Sequence, residues 1–160
     1  MAKAFALAGL LYLFAVVWCS PASAWRYYRS VPPFGLRGSD YVRLPEAQAE
    51  PYRALTHYLE SESDAFITLP GLNSLYFWTG ERPPTYFNAS EVILMNATQQ
   101  ARVVAALDHA KHPLIVLDDR GASFVAPKGP LASLIRERCR EVRRIGNFRI
   151  LIVETALNRP

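Results

Sequence analysis

Two groups of polar side chains in this sequence could carry chemistry. The first is Asp118-Asp119-Arg120, which directly follows an apolar run at residues 114–117. Two adjacent carboxylates can coordinate a hard cation or accept hydrogen bonds from sugar hydroxyls, and ligands of open α/β sheets bind at the carboxyl ends of strands. Consecutive residues of an extended chain point to opposite sides, so an acid–base pair is not expected. The pattern indicates a binding role or, alternatively, a strand-end turn in which Asp caps backbone donors.

The second group follows another short apolar run, residues 65–69, which Pro70-Gly71 turns into a loop. Aromatic and polar side chains here could stack on a sugar ring and hydrogen-bond its hydroxyl groups. The candidates are Asn73, Tyr76, Trp78 and Arg82. Aromatic residues at this spacing also fill hydrophobic cores, so a structural role is the alternative.

Neither a metal site nor a cofactor is expected. Cys19 and Cys139 are the two cysteines, and neither belongs to a CxxC or Cys/His pattern of the kind that binds zinc. His109 and His112 lie near the end of a predicted helix, where a histidine interacts favourably with the helix dipole.

The elements that would position these residues favour an α/β fold. The predicted order of helix, strand, short helix, strand, helix, strand, helix and hairpin indicates a three-layer sandwich with a small, largely parallel sheet and a C-terminal β-hairpin, preceded by one N-terminal apolar helix. The predicted elements are a helix at residues 51–61 opened by Pro51, strands at 65–69, 92–95 and 114–117, a helix capped by Asn96 and ending near residue 112, a helix from Pro130 that includes Cys139 as a buried residue, and a hairpin turning at Gly146-Asn147.

The first 25 residues predict export or membrane attachment. After Lys3 the chain is uncharged over residues 4–25, and Ala22-Ser23-Ala24 has the small-residue pattern of a signal-peptidase site. The same run is about 20 residues long, which is enough to cross a hydrocarbon core of ~30 Å as a helix. Two alternatives therefore stay open: a signal peptide cleaved after Ala24, or an anchor helix that holds the domain outside the cytoplasmic membrane.

The remaining chain is long enough for one domain. Residues 26–50, with several Pro and Gly, predict an extended linker, residues 51–154 the α/β domain, and residues 155–160 a tail. The formal charge is +4, with a basic excess near the C-terminus. Four arginines there are candidates for contact with anionic lipid headgroups, a solvated helix face being the alternative: Arg136, Arg140, Arg143 and Arg144. No nucleic-acid partner is expected, because RNP, zinc-finger and recognition-helix patterns are absent.

Four sequence blocks resemble a known family in their order and spacing. They are Tyr41-Val42-Arg43-Leu44-Pro45, then Tyr52-Arg53-Ala54-Leu55 with Tyr58-Leu59, then Pro70-Gly71-Leu72-Asn73 continuing through Leu75-Tyr76-Phe77-Trp78-Thr79-Gly80, and Pro84-Thr85-Tyr86-Phe87. Together they look like the C-terminal extracytoplasmic domain of bacterial C-type membrane glycosyltransferases, relatives of the protein mannosyltransferases. The later helices and closing hairpin fit as well, so the resemblance covers residues 37–153.

The resemblance implies an integral-membrane enzyme that transfers a sugar from a polyprenyl-phosphate donor, with its catalytic carboxylate in a loop between membrane helices. A single apolar segment cannot form that membrane chamber, so no residue of this chain is assigned a catalytic role. The resemblance therefore predicts an accessory or acceptor-facing periplasmic domain, as a fragment or stand-alone relative, that is not catalytic alone. Its implied partners are the membrane, a multi-spanning glycosyltransferase and a polyprenyl-linked sugar. The alternative is a small secreted periplasmic carbohydrate- or protein-binding module.

Overall fold

The computed structural model of the chain describes residues 2–85, 96–120 and 129–155. The described elements, in chain order, are α1 (Ala2–Ser30), α2 (Glu46–Glu62), β1 (Ala65–Leu69), α3 (Ser74–Thr79), α4 (Ala97–Asp108), β2 (Pro113–Asp118), α5 (Pro130–Arg138), β3 (Cys139–Ile145) and β4 (Phe148–Val153). The strand predicted at residues 92–95 lies outside the described residues.

The sheet is mixed, with the strand order β1-β2-β4-β3. β1 runs parallel to β2, whereas the β2–β4 and β3–β4 pairs are antiparallel. The predicted α/β class is confirmed, but the prediction of a largely parallel sheet is wrong for the described strands. The reason is the hairpin, whose more apolar strand, β4, takes the central place beside β2. The arginine-rich β3 is left at the edge, where charged side chains are tolerated.

Helices cover both faces of the sheet. On one face α4 and α5 pack on the strands through Val103, Leu107, Leu131 and Leu134. On the other face α2 and α3 pack on the strands through Leu55, Leu59, Leu75 and Tyr76. Every residue of β2 is buried, as its unbroken apolar run predicted. The described domain is therefore a three-layer arrangement in which β2, one of the two inner strands, ends at Asp118.

α2 begins five residues earlier than the sequence predicted. Pro51 lies inside the helix instead of opening it, and Pro45 is at the N-cap, where its carbonyl accepts hydrogen bonds from the backbone N–H of Gln48 and Ala49. Glu46 in the first turn suits the helix dipole and holds the Arg53 guanidinium through two hydrogen bonds of 2.7 and 2.8 Å. The sequence favoured Pro51 as the opening residue because a proline in the interior of a helix cannot donate the i→i−4 hydrogen bond; α2 nevertheless continues through Pro51 at its sixth position.

The predicted extended linker is also wrong. Residues 26–30 belong to α1, residues 46–50 belong to α2, and the segment between them, residues 31–45, folds back onto the domain. The N–H of Phe34 donates to the carbonyl of Val42 at 3.0 Å, and the Phe34 side chain is completely buried. Gly35 and Gly38 have positive φ angles of 78° and 65°, so the glycines form tight turns instead of an extended chain. We call this segment the fold-back loop.

α1 spans the region predicted as a signal or anchor. Among the helices that the structure describes, none combines the length and hydrophobicity needed to cross a membrane. The end of α1 contacts the fold-back loop, because the Tyr28 hydroxyl donates to the carbonyl of Tyr41 at 2.9 Å and the Arg43 guanidinium lies 5.3 Å from the Tyr28 ring centroid.

The local signals in the C-terminal half were mostly correct. The Asn96 side chain caps α4 by accepting from the N–H groups of Thr98 and Gln99, although the helix ends at Asp108 and not near residue 112. α5 begins at Pro130 as predicted, but it ends at Arg138. Cys139 is therefore the half-buried first residue of β3 and not a helix residue.

The hairpin turn at Gly146-Asn147 is confirmed. Gly146 has a φ of 55°, while no non-glycine residue in the described ranges, Asn147 included, has a positive φ. This combination is the one a type II′ turn requires. The turn places Phe148 opposite Ile145 in the β3–β4 ladder and opposite Asp118 in the β2–β4 ladder.

Asp64 links the end of α2 to the turn before β2. Its two carboxylate oxygens accept hydrogen bonds from the backbone N–H groups of Lys111 and His112, each at 2.8 Å. Desolvation raises the pKa of Asp64, but these backbone hydrogen bonds outweigh it and hold the pKa below its ordinary value. A lowered pKa in the folded state stabilises the fold above the unfolded pKa, and that contribution is lost as the pH falls through the folded pKa.

We therefore expect the free energy of unfolding to fall as the pH drops from about 5 towards about 2. Asp64→Asn should be less stable than wild type at pH 7, and the difference should shrink over this range. Urea unfolding of both proteins at a series of pH values measures this difference in the free energy of unfolding. Asp40→Asn, which changes an exposed carboxylate of the fold-back loop, is the control. A deficit of Asp64→Asn that is independent of pH would contradict the assignment.

Candidate functional site

A cavity of about 500 Å³ lies where the fold-back loop, α2, α3 and the hairpin turn meet. Its lining is mostly apolar with a few polar groups: Phe34, Val42, Leu44, Ala47, Gln48, Pro51, Tyr52, Leu72, Ser74, Trp78, Arg120, Asn147 and Phe148. It lies at the carboxyl ends of β1 and β2, the edge where ligands of α/β sheets bind. Both its size and its composition are typical of small-molecule sites.

Four aromatic rings belong to the apolar lining of this cavity. Trp78 lies 5.0 Å from Phe34 and 5.9 Å from Tyr52, and Tyr52 lies 5.2 Å from Phe148, measured between ring centroids. Phe34 and Phe148 are buried, whereas Tyr52 and Trp78 are half-buried. The two buried rings therefore support the two that retain surface for a ligand.

Arg120 supplies the cationic group of the cavity. Its Nε and Nη2 donate to the two carboxylate oxygens of Asp118 at 3.1 and 3.0 Å, and Nη2 also donates to the Tyr52 hydroxyl at 3.1 Å. The hydrogen bonds to Asp118 and then to Tyr52 raise the pKa of Arg120. The guanidinium, which lies 5.8 Å from the Phe148 ring centroid, is therefore protonated and held in one orientation.

The other described polar residues of the lining are uncharged. Gln48 and Asn147 carry side-chain amides, and Ser74 carries a hydroxyl. Such groups both donate and accept hydrogen bonds. Among the described lining residues there is no Cys, His, Lys or carboxylate, and the part of the chain that the structure describes holds no group of three or more His, Cys, Asp or Glu arranged for a metal ion. The arrangement suits recognition of a ligand that has both apolar surface and many hydrogen-bonding groups.

The structure brings part of the predicted site together. Trp78 and Arg120 both line the cavity, and Asp118 lies directly behind Arg120 with only 8% of its surface exposed. These residues come from separate parts of the chain, because Trp78 belongs to α3 whereas Asp118 ends β2. The strand-end residues predicted to bind a ligand, Asp118 and Arg120, therefore lie at the same cavity as the aromatic side chain of Trp78.

Tyr76 is part of the hydrophobic core. Its ring stacks on Phe66 with centroids 4.5 Å apart, and its hydroxyl donates to the Phe66 carbonyl at 2.9 Å. Burial raises the pKa of the Tyr76 phenol. Asn73 is exposed at the start of α3, Arg82 is exposed beyond its end, and neither lines the cavity.

Asp119 points away from Asp118, as expected for consecutive residues. Its carboxylate bonds to Arg144 at 2.6 Å and to Arg149 at 2.8 Å, so that it joins the strand end to the hairpin. Desolvation raises the pKa of Asp119, but the hydrogen bonds from Arg149 and Arg144 outweigh it and lower the pKa. The two aspartates therefore have different partners and do not form an acid–base pair.

The four arginines predicted to contact lipid headgroups are divided between elements. Arg136 lies on α5, whereas Arg140, Arg143 and Arg144 lie on the exposed edge strand β3. Arg143 lies 5.0 Å from the Tyr58 ring on the α2 side of the sheet, and Arg144 bonds to Asp119 on the other side. They do not share one face, and their contact with lipid stays a prediction.

Sequence reasoning missed most of the aromatic lining. Tyr52 lies within the helix predicted at residues 51–61 and Phe148 directly follows the turn predicted at Gly146-Asn147, and neither position indicates contact with a ligand. The residues around Phe34 carry a usable signal, because Pro32-Pro33 and Gly35 favour turns. They do not indicate which surface the Phe34 ring contacts.

Comparison of the chain with protein-family models, with curated proteins and with solved structures finds no match in any of the three. Function is therefore inferred from the cavity and from the resemblance carried by the sequence blocks.

Proposed function

We propose that this chain is an extracytoplasmic carbohydrate-binding domain that serves a polyprenyl-phosphate-dependent membrane glycosyltransferase. The observation that carries the proposal is the cavity in which half-buried Tyr52 and Trp78 lie beside a pinned Arg120 and an uncharged polar rim. The sugar of an acceptor or of the lipid-linked donor would occupy this cavity.

The composition of the cavity favours a sugar over a purely apolar ligand. A sugar ring packs its C–H faces on aromatic side chains while its hydroxyls exchange hydrogen bonds with amides and guanidinium groups. An apolar ligand would remove water from Arg120, Gln48 and Asn147 without replacing their hydrogen bonds, which costs free energy. A ligand with hydroxyl groups around an apolar face avoids that cost.

The resemblance to C-type glycosyltransferases supports the choice of partner. Three of the blocks that carry the resemblance also contribute to the cavity: the first through Val42 and Leu44, the second through Tyr52, and the third through Leu72 and Trp78. If the family binds a ligand at this place, the sequence blocks that carry the resemblance should lie around one cavity, and three of the four blocks do. This coincidence supports the proposal without depending on any single motif.

In this proposal the domain binds the sugar, and a separate multi-spanning glycosyltransferase transfers it. In the same proposal the N-terminal segment attaches the domain to the outer side of the cytoplasmic membrane; the support is its uncharged sequence at residues 4–25, since none of the described helices meets the length and hydrophobicity needed to cross a membrane. The pattern Ala22-Ser23-Ala24 favours a second candidate, a secreted periplasmic module that uses the same cavity after signal cleavage. Mass spectrometry of the exported protein separates the two: a mature N-terminus at Trp25 supports secretion, and retention of residues 1–24 supports anchoring.

Titration of the full-length chain in mild detergent with methyl glycosides of glucose, galactose, mannose and N-acetylglucosamine tests the carbohydrate-binding role. We expect at least one of them to bind with a Kd of about 1 mM or tighter and to shift the NMR signal of the Trp78 indole N–H. Trp25, which is exposed on α1, is an internal control whose signal should not move. The proposal fails if no glycoside saturates the protein at concentrations well above about 1 mM.

A further inference from the structure

The charged groups that border the cavity are compensated in pairs. Arg120 is paired with Asp118 through two hydrogen bonds. Arg53, whose Nε donates to the Phe34 carbonyl at 2.9 Å, is paired with Glu46 at 2.7 Å. Within the described residues, Arg120 is the one permanently charged group in the lining itself, and its counter-charge lies directly behind it.

The Asp118–Arg120 pair is asymmetric in its exposure. The Asp118 side chain is 9% exposed, and that of Arg120 is 55% exposed. Both carboxylate oxygens are occupied by Arg120, whereas no residue of the described ranges accepts a hydrogen bond from its Nη1. A ligand would therefore meet the guanidinium as a hydrogen-bond donor whose positive charge is offset in part by Asp118.

We propose that this cavity selects a neutral sugar and discriminates against carboxylated or phosphorylated sugars, with Asp118 as the specificity-determining residue. This inference rests on the proposed carbohydrate-binding function. A carboxylate or phosphate that approached Arg120 would be attracted by the guanidinium, but Asp118 directly behind it would repel the anion and offset part of that attraction. It would also lose water, and a compensated pair does not offset that loss. A sugar hydroxyl accepts a hydrogen bond from the guanidinium without this penalty.

Asp118 also fixes the direction in which the Arg120 guanidinium donates its hydrogen bonds. Its two oxygens hold the planar guanidinium in a fork, and the Tyr52 hydroxyl adds a third contact. Substitution Asp118→Asn would keep the shape of the side chain but remove its negative charge. The cavity would then carry one uncompensated positive charge, and an anionic sugar should become the preferred ligand.

A series of glycosides with the same ring compares neutral and anionic ligands directly. For each of glucose, galactose and mannose, the full-length chain is titrated with the methyl glycoside, the corresponding methyl uronoside and the 6-phosphate. We expect the neutral member of the bound series to have a Kd at least about tenfold lower than its anionic partners. Asp118→Asn should move this ratio by about tenfold in favour of the anionic members, and that gain should diminish with added salt.

The outcomes separate this inference from the proposed function. If the wild-type chain binds uronosides or phosphates as tightly as the neutral glycosides, the neutral selectivity is wrong and carbohydrate binding stands. If no member of any series binds, both are wrong. Circular dichroism checks that Asp118→Asn is folded. If it is not, the double variant Asp118→Asn/Arg120→Gln, which lacks both charges, replaces it and should still prefer neutral glycosides; a preference for anionic ones would overturn the inference.

Discussion

Replacing Phe34 with alanine is expected to lower the free energy of unfolding by about 3–5 kcal/mol, the usual cost of removing a buried aromatic side chain. The Phe34 ring is completely buried and contacts Trp78 and Tyr52, with centroids 5.0 and 6.2 Å apart. These contacts attach the fold-back loop to α2 and α3. Urea unfolding of the full-length chain measures the loss.

Tyr41→Ala provides a matched control, because Tyr41 is an aromatic residue of the same loop with 88% of its surface exposed. Its substitution should change the free energy of unfolding by no more than about 0.5 kcal/mol. If Phe34→Ala and Tyr41→Ala have the same small effect, the fold-back loop does not pack on the domain as described here. The wall that Phe34 contributes to the cavity would then also be absent.

Replacing Trp78 with alanine is expected to weaken sugar binding by at least about tenfold, corresponding to about 1.4 kcal/mol or more. Trp78 lines the cavity and contacts both Phe34 and Tyr52, so the variant removes the largest ring available to the ligand. Calorimetric or NMR titration with the glycoside that binds wild type most tightly measures the change.

Phe77→Ala is the control for this substitution. Phe77 is the preceding residue on α3, is 58% exposed and does not line the cavity, so its removal should leave the Kd almost unchanged. Equal losses for Trp78→Ala and Phe77→Ala would indicate that α3 is damaged or that the sugar binds elsewhere. Unfolding curves of both variants distinguish these two explanations.

Local signals in the sequence predicted local structure well. Asn96 as a cap, Pro130 at a helix start and Gly146-Asn147 as a turn each act through a few neighbouring backbone groups, so sequence order alone exposes them. The continuous burial of β2 also follows from its composition. The identity of the strand beside β2 does not, because the insertion of β4 there depends on contacts between residues 30 to 38 positions apart in the chain.

The candidate site was predictable only in part for the same reason. Trp78 and Arg120 stood out because each belongs to a group of polar and aromatic residues that follows a strand-like apolar run, Trp78 after residues 65–69 and Arg120 after residues 114–117. Tyr52 and Phe34 belong to α2 and to the fold-back loop, and only the folded chain brings them beside Trp78. Tyr76 shows the opposite case. It lies two residues before Trp78, about half a turn round α3, and its ring stacks on Phe66 in the core.

The most direct test of the proposed function is a crystal structure of the chain with the best-binding glycoside. The sugar is predicted to occupy the cavity of about 500 Å³, packed on Trp78 and hydrogen-bonded to Arg120. A glycoside bound instead near Asn73 and Arg82, or against the arginines of β3, with the cavity empty, would contradict the assignment of this cavity as the carbohydrate site.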